Sequence, residues 1–295
     1  MTHVPVLYNE VLAGLNLRPG GLYIDGTVGA GGHSAGILEA TGPDGRLIGF
    51  DRDAAALRVA AERLAPFSDR VRLIHAPYTA LAEHVALGSA DGMVLDLGLS
   101  SLQMDDAERG FAFRHDGPLD MRFDLRDGLT ADEVINTWLV DELADALFDY
   151  GEERHSRRIA RAIVAARPVR TTGQLADVIA RATGKYRERI HPATRTFQAL
   201  RIVVNDELGQ VGQVLPLAVQ ALISGGRLAV ITFHSLEDRI VKRFFRQASG
   251  VVEEGANLSS PTLRLVNKKV IEPTAAEIEA NPRSRSAKLR LIERL

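Results

Sequence analysis

Asp25, Asp51 and Asp96 each close a short apolar run, and the first opens onto glycines in IDGTVGAGGHS (24–34). A strand that ends in a glycine turn and passes into a helix is the usual seat of a nucleotide-type cofactor. Gly26, Gly29, Gly31 and Gly32 are more glycines than a turn packing a helix on a strand requires. A dinucleotide fingerprint finds its first two glycines in Gly29 and Gly31, but Ser34 occupies the third position. Asp51 suits the acidic position that accepts hydrogen bonds from ribose hydroxyls, which any adenosine cofactor would use alike. Asp25 discriminates. It would repel a pyrophosphate and attract an ammonium or a sulfonium. S-Adenosylmethionine carries both cations and no phosphate, so the loop favours a methyl donor over NAD.

DLGLSSLQ (96–103) follows another apolar run and puts Asp96 where the transferable methyl of such a cofactor would lie. Amino-group methyltransferases acting on bases often carry Asp/Asn-Pro-Pro-aromatic here. This chain keeps the acid but continues Leu-Gly-Leu-Ser, so spacing alone names no base. Asp96, with Ser100 or Ser101 assisting, could take a hydrogen bond from an amine and draw its lone pair out of conjugation. The same three residues could cap a following helix, and the two roles are compatible. In ITFHSLEDR (231–239), Ser235 and Asp238 have capping-box spacing, which leaves His234 to face a substrate or to serve the structure. Arg154, Arg157, Arg158 and Arg161 crowd one stretch, and Arg283, Arg285, Lys288 and Arg290 another. Such runs are usually solvated faces, but beside a methyl-transfer cleft they would suit RNA phosphates.

The elements that must hold these residues alternate. Leu22–Asp25, Arg46–Asp51, 71–76, 92–98 and 227–233 read as strands, with helices over 33–40 and after Asp53, a helix cap. This is the pattern of a doubly wound, Rossmann-like α/β sheet, which binds ligands at its strand C-termini. Residues 109–205 change character and are expected as a helical insertion, with 1–108 and 206–295 as the two parts of the sheet domain. Thr130 and Glu133 form a capping-box pattern before Val134, Trp138, Leu143 and Leu147, expected on one face. Thr171 and Gln174 repeat the device before Leu175, Val178 and Ile179. Residues 208–224 read as a helix, and the tail SAKLRLIERL as the last edge strand.

Composition bounds the rest. The 295 residues, 45% hydrophobic and 25% charged, can bury a sizeable core. No cysteine is present, which excludes disulfides and thiolate metal sites and suits a reducing cytoplasm. No metal site is expected. The N-terminus lacks a signal-peptide pattern and no apolar run approaches a membrane span, so no membrane partner is expected. A net charge of −2 means that any nucleic acid must be met by local patches.

Laid end to end, the motifs closely resemble the bacterial small-subunit ribosomal RNA cytosine N(4)-methyltransferases. HVPVLYNE (3–10), DGTVGAGGHS (25–34), DRD (51–53) and DLGLSSLQ (96–103) carry the likeness in the first third. RGFAFR (109–114), DMR (120–122), GEER (151–154), HPATRTFQALRIVVNDEL (191–208), FHSLEDRIVKRFF (233–245) and RSRSAKLR (283–290) continue it. The resemblance implies an S-adenosylmethionine-dependent enzyme with a helical domain inserted after the fourth strand. Its acceptor would be one cytidine in the decoding region, in an assembled or late-assembly small subunit. It further implies cofactor contacts from Gly31, Gly32, His33, Asp51, Asp96 and Gln103. Tyr78 would pack on the adenine, keeping the ring of the commoner phenylalanine and adding a hydroxyl. Arg154, Arg157, Arg158, His191 and Arg195 of the insertion would clamp RNA, with His234 also facing it. An NAD(P)-dependent oxidoreductase and a non-catalytic RNA-binding assembly protein are the rival readings. The oligomeric state stays open, a homodimer included.

Overall fold

A computed structural model describes residues 5–126, 128–184, 191–250 and 262–295; His3 and Val4 of the first signature lie outside them. The chain forms two compact units, Met1–Gly98 with Leu208–Leu295, and Leu99–Glu207.

In the first unit, α1 (Tyr8–Leu15) precedes β1 (Leu22–Asp25), α2 (Gly32–Ala40), β2 (Arg46–Asp51), α3 (Ala54–Arg63), β3 (Val71–His75), α4 (Leu81–His84) and β4 (Ala90–Asp96). The second unit holds α5 (Ser101–Asp105), α6 (Ala131–Thr137), α7 (Val140–Gly151), α8 (Ser156–Ala165), α9 (Thr172–Thr183) and α10 (Ala193–Asn205). The chain then runs through α11 (Glu207–Ala221), β5 (Leu222–Thr232), α12 (Ser235–Ala248), β6 (Leu263–Leu265), α13 (Ala275–Ala280) and β7 (Lys288–Arg294).

The seven strands lie in the order β3-β2-β1-β4-β5-β7-β6, the first five parallel and β7 antiparallel to both neighbours. This is the expected doubly wound sheet, and period-two alternation shows why both of its faces are covered. Ile24, Phe50, Met93, Leu95, Leu228 and Val230 pack with Val214 and Leu215 of α11 and Phe245 of α12. Their neighbours Tyr23, Leu47, Val94, Ala229 and Ile231 pack with Leu15 of α1, Ile37 of α2 and Ala60 of α3.

The tail strand is not the edge. β7 lies between β5 and the three-residue β6, with Leu289, Leu291 and Ile292 almost wholly buried. An apolar strand covered on both faces is stable inside a sheet, whereas the exposed edge goes to a short segment.

The second unit is helical around its own core, which includes Leu143, Leu147, Ile159, Ile163, Leu175, Ile179, Phe197 and Leu200. Thr130 caps α6 in the expected box with Glu133. The helix stops at Thr137, however, so Val134 and Leu143 belong to different helices. Arg167 explains the stop: its guanidinium donates to the carbonyls of Ile135 and Trp138 at 2.7 and 2.6 Å, satisfying groups that the ended helix leaves open. Thr171 caps α9, but the Gln174 side chain accepts from Arg170 N–H and does not close a box on Thr171.

Candidate active site

Parallel pairing brings the three aspartates to one edge of the sheet. Asp25 ends β1, Asp51 ends β2 and Asp96 ends β4. The glycine loop bridges them. Gly26 N–H donates to the Val94 carbonyl of β4 at 2.9 Å, and Val28 N–H to the Phe50 carbonyl of β2 at 3.0 Å. Gly29 and Gly31 both adopt positive φ, Gly31 at 76° as the residue before α2, where a side chain would be strained.

Asp25 is buried, and both of its carboxylate oxygens are engaged. One accepts from Ser34 Oγ at 2.7 Å, the other from Thr27 N–H at 3.0 Å. Ser34, the residue that spoils the dinucleotide fingerprint, thus has a positive role: it anchors this carboxylate from the first turn of α2. Asp51 pins the loop from the other side, accepting from Gly29 N–H and Asp53 N–H, each at 2.8 Å. Desolvation pushes the Asp51 pKa upward, and lifts that of Asp25 to about 6 against the lowering effect of Ser34.

Asp96 differs. Its backbone N–H donates to Thr27 Oγ1 at 2.6 Å, which ties β4 to the loop. Its side-chain Oδ1 is buried without a hydrogen-bond partner, and Oδ2 lies 3.8 Å from His33 Nδ1. The His33 Nε2 sits 3.1 Å from the Val6 carbonyl. A carbonyl only accepts, so Nε2 carries a proton, and Nδ1 faces Asp96. Desolvation first, then the charges of Asp25 and Glu237, raise the Asp96 pKa to about 8. Tyr78, beyond β3, brings its Cβ close to Gly26, lodging against the same loop.

Glu237 and Thr27 are the residues that reading the sequence missed. Thr27 stands inside the quoted loop, and Glu237 inside HSLEDR, but no spacing rule singles either out. Glu237 is buried and accepts from the backbone N–H groups of Phe233 and His234 at 2.9 and 3.4 Å. The cap of α12 is therefore His234 with Glu237, one residue earlier than the expected pair. Asp238 instead binds the Arg290 guanidinium at 2.7 and 3.1 Å. His234 accepts from Glu237 N–H at Nδ1, 3.5 Å away, while its buried Nε2 lies 3.1 Å from Glu237 Oε1 without hydrogen-bond geometry.

In the second unit, Ser100 caps α5 in a closed box: Gln103 N–H donates to Ser100 Oγ at 3.3 Å and Ser100 N–H to Gln103 Oε1 at 3.0 Å. Asp96 takes no part in that cap, and Ser101 is the helix's first residue. Arg154, Arg157, Arg158 and Arg161 are all exposed, opposite the buried Ile159, Ala160 and Ile163 of α8. Arg195 donates to the Glu152 carbonyl at 3.1 Å. His191 packs against Phe113 with the ring centroids 4.5 Å apart and the planes tilted by 35°, and it accepts from Ala193 N–H at 3.2 Å, so it supports the start of α10.

The edge fits a cationic adenosine cofactor and does not fit a pyrophosphate. Three carboxylates converge there, each with its pKa raised by desolvation and, in part, by a neighbouring carboxylate, and one buried carboxylate oxygen lacks a donor. Comparison with known proteins agrees. The Ribosomal RNA small subunit methyltransferase H of Symbiobacterium thermophilum is 50% identical, over 99% of this chain and 96% of its own. Its namesake from Trichormus variabilis is 52% identical, over 99% and 92%. The crystal structure of PH0851 covers 100% of this chain with 47% of its own, at 12% identity and a TM-score of 0.50, a likeness of fold alone. With all of residues 1–295 matched by the family model, the chain belongs to the MraW methylase family.

Proposed function

We propose that the chain methylates the exocyclic N4 of one cytidine in the decoding region of small-subunit ribosomal RNA, in the bacterial cytoplasm. The donor is S-adenosylmethionine, whose sulfonium supplies the methyl group when bound. The names of the relatives support the RNA class. The observation that carries the chemistry is the buried, unpartnered Oδ1 of Asp96 at the strand edge.

The N4 amine is a poor nucleophile because its lone pair is conjugated with the ring. A hydrogen bond from the amine to Asp96 would draw that lone pair out of conjugation, and Asp96 would take the proton that the amine releases when the methyl group passes from sulfur to nitrogen. Asp96 can hold that proton, since desolvation and the neighbouring carboxylates raise its pKa to about 8. His33 Nδ1 stands 3.8 Å behind it. Asp51 retains lone pairs for ribose hydroxyls, and Gly29, Gly31 and Gly32 let backbone approach the donor. Asp25 acts on the cation through its field, because both of its oxygens already serve the loop. Positioning and exclusion of water supply most of the acceleration in such a displacement.

The base must leave its stack to reach the methyl. The exposed arginines of α8 and Arg195 supply the clamp for the surrounding RNA, in an assembled or late-assembly subunit. Ser100 and Gln103 act as the rigid start of α5, which limits Ser100 to an assisting role. Incubation of the protein with labelled donor and unmethylated small subunits, followed by mapping of the label, tests the assignment. Label on a single cytosine is expected; label on another base or on protein overturns it.

A further inference from the structure

A second concave site lies in the first unit, away from the carboxylate edge. α12, β6 and β7 enclose a pocket of about 350 Å³. Phe245 and Leu265 give it an apolar floor, and Lys242, Arg246 and Lys268 stand around it. All three cations are exposed and form no ion pair among the described residues. Arg290 also lines the pocket, but its guanidinium is already committed to Asp238. Lone surface lysines need no ligand. Three cations that form no ion pair among the described residues line one apolar hollow, and an anion with a flat apolar part would be favoured there.

We infer that this pocket binds a backbone phosphate of the RNA substrate, with the attached nucleoside on the Phe245–Leu265 floor. The assignment rests on the RNA reading above. The volume suits about one nucleotide, within the ordinary range for small-ligand pockets. Arg246 lies about three turns along α12 from Ser235, roughly 16 Å at 1.5 Å per residue. An RNA strand engaging both places therefore runs along α12, and the pocket grips it some nucleotides from the reacting base.

The test is the triple variant Lys242→Ala/Arg246→Ala/Lys268→Ala, titrated with a single-stranded oligoribonucleotide of small-subunit sequence across a salt series. About a tenfold loss of affinity is expected, with a log–log salt slope shallower by about 0.7, the value for one lost phosphate contact on a single strand. KM for RNA should rise while kcat at saturating RNA and donor binding stay unchanged. The charge-preserving variant Lys242→Arg/Arg246→Lys/Lys268→Arg should restore affinity. Native affinity and slope in the alanine variant would overturn the proposal. So would loss of methylation of assembled subunits with oligoribonucleotide affinity intact, which would point to a protein partner. If the native protein transfers no methyl to RNA but the salt-dependent binding loss appears, the enzymatic assignment fails and the pocket stands.

Discussion

The ends of β1 and β4 carry the same residue type at the same edge of one sheet, yet the two aspartates do different things. Asp25 has both oxygens bonded to its own loop, through Ser34 and Thr27. Asp96 keeps one oxygen buried and unpartnered, beside a histidine too distant for a hydrogen bond. A buried carboxylate without a donor is costly, and proteins keep one where a ligand completes it. The satisfied carboxylate holds the loop, and the unsatisfied one is the group to which we assign the chemistry. This contrast is visible only in the hydrogen bonds, since both residues are simply Asp after an apolar run.

The contrast can be broken most forcefully at Asp96. Asp96→Asn keeps the shape but offers a weaker acceptor that cannot take the proton, so turnover should fall at least about a hundredfold, the scale of general acid–base catalysis. Donor affinity, read by calorimetry, should change much less. Equal losses in both would make Asp96 a donor contact and remove the distinction.

Asp25→Ala should act on the scaffold. It leaves the Ser34 hydroxyl and Thr27 N–H without partners, at a cost of roughly 1–3 kcal/mol in urea unfolding. Weaker donor binding should accompany the loss, with kcat at saturating donor largely kept. Ser34→Ala should reproduce the effect at the lower end, about 1 kcal/mol, because Thr27 still serves the carboxylate.

Protonation sharpens the comparison further. Both carboxyls have folded-state pKa values raised above the ordinary range, to about 6 for Asp25 and about 8 for Asp96. The folded protein therefore binds more protons than the unfolded chain, and stability falls as pH rises. The Asp25 share of that fall should end near pH 6, whereas the Asp96 share should continue to about pH 8. Unfolding experiments on Asp96→Asn should show the slope between pH 6 and 8 flattened. A cationic donor favours ionised Asp96, so its affinity should rise over the same window, with protons released on binding. An unchanged slope in Asp96→Asn would place the titration elsewhere.

Much of the site was legible before any coordinates. Asp25, the glycines, Asp51 and Asp96 fall at strand ends because apolar runs and helix caps mark those ends locally. The Asp53 cap, accepting from Ala55 N–H at 2.8 Å, is where the sequence puts it. Local signals misled where two caps compete. HSLEDR shows the Ser235–Asp238 spacing, but Arg290 of β7 claims Asp238 and the cap is made by His234 and Glu237. Likewise Val134 through Leu147 reads as one amphipathic helix until Arg167, distant in sequence, takes the carbonyls of Ile135 and Trp138.

The sequence by itself determined the doubly wound sheet, the helical insertion and the acidic edge, since hydrophobic period, turn residues and caps act over a few neighbours. Only the tertiary structure decided which strand lies at the edge, which carboxylate is satisfied and which cations share a pocket. Those outcomes depend on partners far apart in the chain. Thr27 with Asp96, Glu237 with the field at Asp96, and Lys242 with Lys268 meet only after β1, β4, β5 and β6 have taken their places in one sheet.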